Sequence, residues 1–142
     1  MWGTVGRAYV YLIYGMHTCL NVVAHGQDGV GAVLIRALAP EHGIERMREL
    51  RKGAPPHLVA SGPGRLCAAL AIDRSFDGAN LCDTGGELFL AAGPPVADDH
   101  ITAGPRVGVV GRPDDIARAW RLYVTHDPNV SPGRRQRVIR GE

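Results

Sequence analysis

From Arg7 to Tyr14 the chain alternates β-branched, aromatic and aliphatic residues with a period of two, the pattern of a strand. On such a strand Tyr9, Tyr11 and Ile13 share one face. Tyr14-Gly15-Met16-His17 reads as a turn and Cys19 to Ala24 as a returning strand. The pattern therefore predicts a hairpin with a tyrosine and a methionine at its tip. A glycine-rich loop from Gly26 to Gly31 follows, then an apolar run from Ala32 to Leu38 that reads as a buried strand. Pro40 suits the first turn of a helix reaching about Lys52, with Ile44, Met47 and Leu50 as its apolar stripe. Ala54-Pro55-Pro56 ends it. Ser61-Gly62-Pro63-Gly64 opens a second helix whose apolar face is Leu66, Ala69 and Leu70. Short strands are expected near Glu87–Ala91, Arg106–Val110 and Leu122–Thr125. Between the last two, a helix from Pro113 to about Trp120 starts with Asp114 and Asp115, as its dipole prefers.

These elements make an α+β fold: a single mixed domain with a small, curved, largely antiparallel sheet, flanking helices and a protruding β-hairpin. The domain is expected over residues 1–131, with a loose basic tail at 132–142. The length of 142 residues suits one domain. Hydrophobic residues at 45% and charged residues at 21% exclude disorder, collagen and coiled coil. The 19 Gly and 10 Pro explain why short elements and many turns are expected. No apolar stretch reaches the 20 or so residues needed to span a bilayer, and the opening residues lack the pattern of a secretory signal.

The net charge is +2, but the cations are 15 Arg and a single Lys, Lys52. Arginine pairs two-point with phosphate oxygens, which lysine cannot do. A GC-rich genome explains the same bias. Cys19, Cys67 and Cys82 have no C-x-x-C spacing and read as reduced thiols. Phosphate-loop, zinc-helix and nucleophile-elbow motifs are missing, and the six histidines form no metal-spaced pair. No metal or cofactor is expected. The hairpin remains. Apolar side chains on a protruding tip are the usual wedges that enter a nucleic-acid stack, though tyrosines in such a pattern also fill cores. Arg36 lies inside the apolar run Val33–Leu38, and an arginine there needs an ion-pair partner or a function. Asn21 sits among apolar neighbours, as a structural amide would. Ser61 to Arg65 suits a backbone phosphate and equally a plain helix cap.

The residues Tyr9-Val10-Tyr11-Leu12-Ile13-Tyr14-Gly15-Met16-His17-Thr18-Cys19-Leu20-Asn21 closely resemble the signature hairpin of the alkyladenine (3-methyladenine) DNA glycosylase family, mammalian type. The resemblance continues through Val33–Pro40, Met47–Arg51, Ser61–Cys67, Ala69–Ile72, Gly104–Gly108 and Trp120–Tyr123. These blocks keep the family order over roughly nine tenths of the chain. The resemblance implies excision of alkylated or deaminated purines (3-methyladenine type, hypoxanthine, ethenoadenine) by flipping the nucleotide into a pocket and hydrolysing its N-glycosidic bond. It implies an intercalating wedge at Tyr14 with Met16 beside it, and a stacking platform at Tyr11. Asn21 would obstruct the exocyclic amine of guanine. Arg36, helped by the backbone carbonyl of Val107, would hold the attacking water. Arg51, Arg65 and Arg74 fall where the family binds phosphates, ahead of Arg134, Arg135 and Arg137 in the tail.

Family members carry several dozen residues before this hairpin, among them the general-base glutamate, a second stacking tyrosine and a histidine that faces the base. Met1-Trp2-Gly3 resembles the family's Met-Phe-Gly just ahead of the hairpin, so an N-terminally truncated chain without its general base is expected. Impaired activity follows from that expectation, and the alternative is a non-catalytic module that binds damaged DNA. The implied partner is double-stranded DNA with a damaged purine, bound by a monomer. The implied location is the cytoplasm, at the nucleoid in a bacterium, with no membrane contact.

Overall fold

The structure, a computed structural model, describes residues 1–27 and 29–130. The expected tail at 132–142, with Arg134, Arg135 and Arg137, lies outside the described residues. The chain divides into two units, Met1–Gly93 and Pro94–Glu142. Helices and antiparallel sheets occur together, as an α+β fold requires.

In the first unit, β1 (Ala8–Ile13), β2 (His17–Val23) and β3 (Ala32–Leu34) form an antiparallel sheet in the order β1-β2-β3. β1 and β2 are the predicted hairpin, with Tyr9 opposite Asn21, Val10 opposite Leu20 and Tyr11 opposite Cys19. Directly opposed residues share a face, so the hairpin has a core side and an opposite side. Ala8, Val10 and Leu20 carry the core side. They pack with Val59, Leu66, Cys67, Ala69 and Leu81 into the core. Leu66 is fully buried, and a leucine so placed contributes about 1.5–3 kcal/mol.

The outer edge of β1 is closed by the segment after the second helix. Ala8 N–H donates to Ala79 O at 2.8 Å, Gly78 N–H to Ala8 O at 2.9 Å, and Val10 N–H to the Asp77 carboxylate at 2.8 Å. The helices are α1 (Ile44–Leu50) and α2 (Pro63–Ala69). α1 starts four residues later than Pro40 suggested, because Gly43 takes a left-handed conformation (φ 68°) at its N-cap. Its Ile44 and Met47 are half-buried, whereas Leu50 is exposed. β3 is shorter than the apolar run. Ile35 N–H still reaches Leu20 O, but Leu38 N–H turns to Ala60 O, so the chain leaves the sheet for the loop before α2.

The second unit pairs β4 (Ile101–Gly104) with β5 (Arg121–Val124) and holds the short helix α3 (Pro113–Ala117). The expected strands at 87–91 and 106–110 are absent. Pro105 has no N–H for a ladder and Gly108 is left-handed (φ 72°), so the partner of β5 is the segment before them. α3 ends at Ala117, where Arg118 turns extended, rather than at Trp120. Among the described residues, no helix is long and apolar enough to cross a membrane.

Candidate functional site

The hairpin tip is tight. Met16 N–H closes on Ile13 O at 3.1 Å, and both central residues have positive φ, 52° at Tyr14 and 68° at Gly15. A type I′ turn needs that combination, and glycine meets it freely. Tyrosine does not. An L-residue in the left-handed region costs about 1–2 kcal/mol. Tyr14 and Met16 are nonetheless 78% and 73% exposed, so little packing holds the strained residue in place. Backbone strain combined with an exposed apolar side chain is the physical sign of a residue kept for something outside the fold.

Behind the tip, the side of the hairpin opposite the core cluster carries Tyr9, Tyr11, Cys19 and Asn21. The Tyr9 and Tyr11 rings lie with centroids 5.3 Å apart at 32°. Tyr11 is half-buried; its phenol is pushed above the ordinary range by burial first, then by the neighbouring Cys19 and Tyr9. Burial likewise raises the Cys19 thiol, against which the Arg36 guanidinium and a hydrogen bond with Tyr11 act in part. Arg36 is half-buried, its Nε is closed off from solvent, and its charge reaches Cys19. Asn21 is 6% exposed and donates from Nδ2 to Tyr9 O at 3.0 Å. One amide donor is thus tied to the opposite strand. The sheet brings Tyr11, Asn21 and Arg36 to one neighbourhood, with Tyr14 and Met16 at its end.

α2 approaches the hairpin next to its tip, at His17. A Cβ on Gly64 would lie 3.2 Å from His17 Cβ and 3.3 Å from its Cγ, closer than side chains ordinarily tolerate, so the helix start and the strand start require a glycine between them. Arg65, next in line, is exposed and donates to Ser61 O at 3.3 Å. Arg51, at the C-cap of α1, is half-buried and donates from Nε to Val59 O at 3.2 Å. Arg74 is exposed on a short 3₁₀ turn. Val107 lies in the second unit, half-buried beside the left-handed Gly108. That unit also sets the Arg106 and Arg118 guanidiniums 5.1 and 4.8 Å from the Trp120 ring, contacts that the sequence pattern did not announce. Cys19, opposite Tyr11 on the neighbouring strand, was not singled out from the sequence either. Its signal was available, because a turn centred on Gly15 puts position 19 opposite position 11.

Residues 1–128 match the family model described as methylpurine-DNA glycosylase (MPG). A protein of Methanocella arvoryzae named as a 3-methyladenine DNA glycosylase is 48% identical over 132 residues, which cover 92% of this chain and 64% of the relative. Proteins of the same name from Herpetosiphon aurantiacus and Streptomyces avermitilis are each 42% identical. They cover 96% and 94% of this chain and 62% and 63% of the relative, respectively. The chain thus spans less than two thirds of the length of these relatives.

Proposed function

The chain belongs to the methylpurine-DNA glycosylase family, and on that premise we propose that it serves base-excision repair by extruding alkylated or deaminated purines from duplex DNA. The substrates in this reading are 3-methyladenine-type bases, hypoxanthine and ethenoadenine. The observation that carries it is the exposed, left-handed Tyr14 at the head of a hairpin face that holds Tyr11 and Asn21, with Arg36 near enough for its charge to act on Cys19 of the same face. Tyr14, with Met16 beside it, fills the gap left by the extruded nucleotide. The electron-poor face of an alkylated purine stacks on Tyr11. Asn21, held by its bond to Tyr9 O, stands against the exocyclic amine of guanine, which discriminates against a normal base. Arg51, Arg65 and Arg74 take backbone phosphates.

The chemistry is monofunctional hydrolysis. Water attacks C1′, the bond to the purine nitrogen breaks, and the purine leaves with a proton. Arg36 orients that water. No metal or cofactor takes part, and one chain acts as a monomer wherever DNA is held, in cytoplasm or nucleoid. The general-base glutamate that the resemblance calls for has no counterpart among these 142 residues. Its help is worth typically about 10²–10⁴-fold, so base release by these residues alone is slow. The test is single-turnover release from a duplex carrying one ethenoadenine or hypoxanthine, with binding followed in the same samples. Preferential binding with slow release is the expected result. Binding with no release at all supports the non-catalytic module instead, and equal affinity for damaged and undamaged duplexes overturns the reading.

A further inference from the structure

The second unit sets its tryptophan among arginines. The Arg106 and Arg118 guanidiniums lie 5.1 and 4.8 Å from the Trp120 ring centroid, and Arg121, the next residue, holds its guanidinium 4.5 Å from the Tyr123 ring. Asp115 joins the group. Its carboxylate pairs with Arg112 at 3.1 Å and with Arg118 at 3.6 Å, and its backbone carbonyl accepts from Arg106 at 2.8 Å. Trp120 is nonetheless 60% exposed, and no described residue of this unit is buried, so the indole fills no core. We propose that this cluster is a second DNA-contact surface: its arginines take phosphates of the duplex and its indole lies against a deoxyribose, without reading a base. The proposal rests on the duplex-binding part of the function proposed above.

Charge is segregated along the β4–β5 pair. The register sets Gly104 opposite Arg121 at one end and Ile101 opposite Val124 at the other, three residue steps or roughly 10 Å away. Asp98, Asp99 and Asp127 flank the Ile101–Val124 end. Arg106, Arg112, Arg118 and Arg121 gather at the other end against Asp114 and Asp115. Cations outnumber anions there, and a separation of about one Debye length screens the acidic end at ordinary salt. Guanidiniums drawn to one ring and one carboxylate repel each other, and Asp115 offsets that only in part. A polyanion offsets the rest. The aromatic faces hold the guanidinium planes in place, so less side-chain freedom is lost when a phosphate is gripped two-point. An exposed indole flanked by arginines thus matches both the apolar and the ionic parts of a sugar–phosphate backbone.

Equilibrium binding to a duplex with one ethenoadenine and to the same duplex undamaged, across a salt series, tests the surface. Arg118→Gln should weaken binding to both duplexes roughly fivefold, leave the lesion preference unchanged and lower the salt slope by about 0.9, the share of one phosphate. Arg118→Lys, which keeps the charge, should restore the slope. Trp120→Ala should also weaken both duplexes alike. The chain has two tryptophans, Trp2 and Trp120, so in a Trp2→Phe background the indole emission reports Trp120 alone and should shift on saturation with undamaged duplex. If Trp120→Ala fails to fold, this emission and the exposed Arg118 carry the test. Unchanged affinity and slope in Arg118→Gln, or an unmoved emission at saturation, overturns the surface. So does a loss confined to the lesion duplex, since a contact that reads no base weakens both alike. A wild-type chain that binds both duplexes equally overturns the excision reading alone, and one that binds neither overturns both.

Discussion

At Tyr14 the stability order of two small substitutions should be the reverse of that at an ordinary position. The residue is 78% exposed, so roughly a fifth of its surface is out of water. A fully buried aromatic removes about 150–250 Å², and a fifth of that, roughly 40 Å², is worth about 1 kcal/mol. Tyr14→Ala loses this contact and keeps the left-handed backbone at φ 52°, so it should cost about 1 kcal/mol. Tyr14→Gly loses the same contact and a further ~0.5–1 kcal/mol of chain entropy. It also relieves the ~1–2 kcal/mol of left-handed strain. The glycine variant should therefore lie within about 1 kcal/mol of wild type and exceed the alanine variant by roughly 0.5–1 kcal/mol. Urea unfolding with a shared slope measures this directly, and Leu66→Ala, at a fully buried core position, gives a scale of about 2–5 kcal/mol. Both Tyr14 variants should lose preference for lesion duplexes while staying folded. An alanine variant as stable as the glycine one would show that the turn is not left-handed at this residue. A loss above ~2 kcal/mol in Tyr14→Ala would make the tyrosine a packing residue and not a wedge.

Three further outcomes are expected. Asn21→Ala removes a bond at a nearly buried position and should cost about 1–2 kcal/mol in urea unfolding; a cost near zero would mean that the bond to Tyr9 O contributes nothing to stability. His25 directs Nδ1 at Gly26 O (2.8 Å) and Nε2 at Gly3 O (3.1 Å). Only the imidazolium can donate both bonds, so those bonds, Gly26 first, raise its pKa. Its folded value then exceeds its unfolded one, so the stabilisation is full below about pH 6.5 and fades as pH rises through the raised value. A proton-resonance titration should give a midpoint above 6.5, and a midpoint at or below that value refutes the double bond. Finally, Cys82 is exposed while Cys19 and Cys67 are buried, and burial pushes the Cys67 thiol up to about 11. A disulfide reagent at neutral pH should therefore label one thiol quickly and the other two only on unfolding; a second fast thiol would show that the core opens.

The hairpin was legible because its information is local. A period-two run, a turn from Tyr14 to His17 and a second run announce the hairpin and put Tyr9, Tyr11 and Ile13 on one face, but the register that sets Tyr9 opposite Asn21 and Tyr11 opposite Cys19 comes from His17 already pairing with Ile13 in the folded strand. The left-handed backbone of Tyr14 could not be read, because a bulky residue rarely adopts it and only the closure of the turn imposes it. β4 was missed for a different reason. Four residues that end in Gly104-Pro105 carry too little pattern, and the richer run at 106–110 drew the assignment although Pro105 and Gly108 break it. The start of α1 was set by a glycine at 43 rather than by the proline at 40, a choice between two valid helix-start signals that only the folded backbone decides. Arg36 was suspect on composition alone, yet its closeness to Cys19 depends on where the chain leaves β3 for Ala60, which is tertiary information.

The narrow gap between Gly64 and His17 limits how this sequence can change. A glycine inside a helix is ordinarily open to improvement, since alanine there gains up to about 1 kcal/mol. Here the added methyl group would act as a shim beneath the tip end of the hairpin, because the atoms it meets are the Cβ and Cγ of His17, which cannot swing aside as a long side chain could. His17 is joined to Tyr14 through only Gly15 and Met16, so a shift of a few tenths of an ångström there is carried straight to the tip. Drift at position 64 is then free only in lineages whose hairpin has already moved. In an engineered chain that same position is a means of re-aiming Tyr14 without altering any residue of the tip.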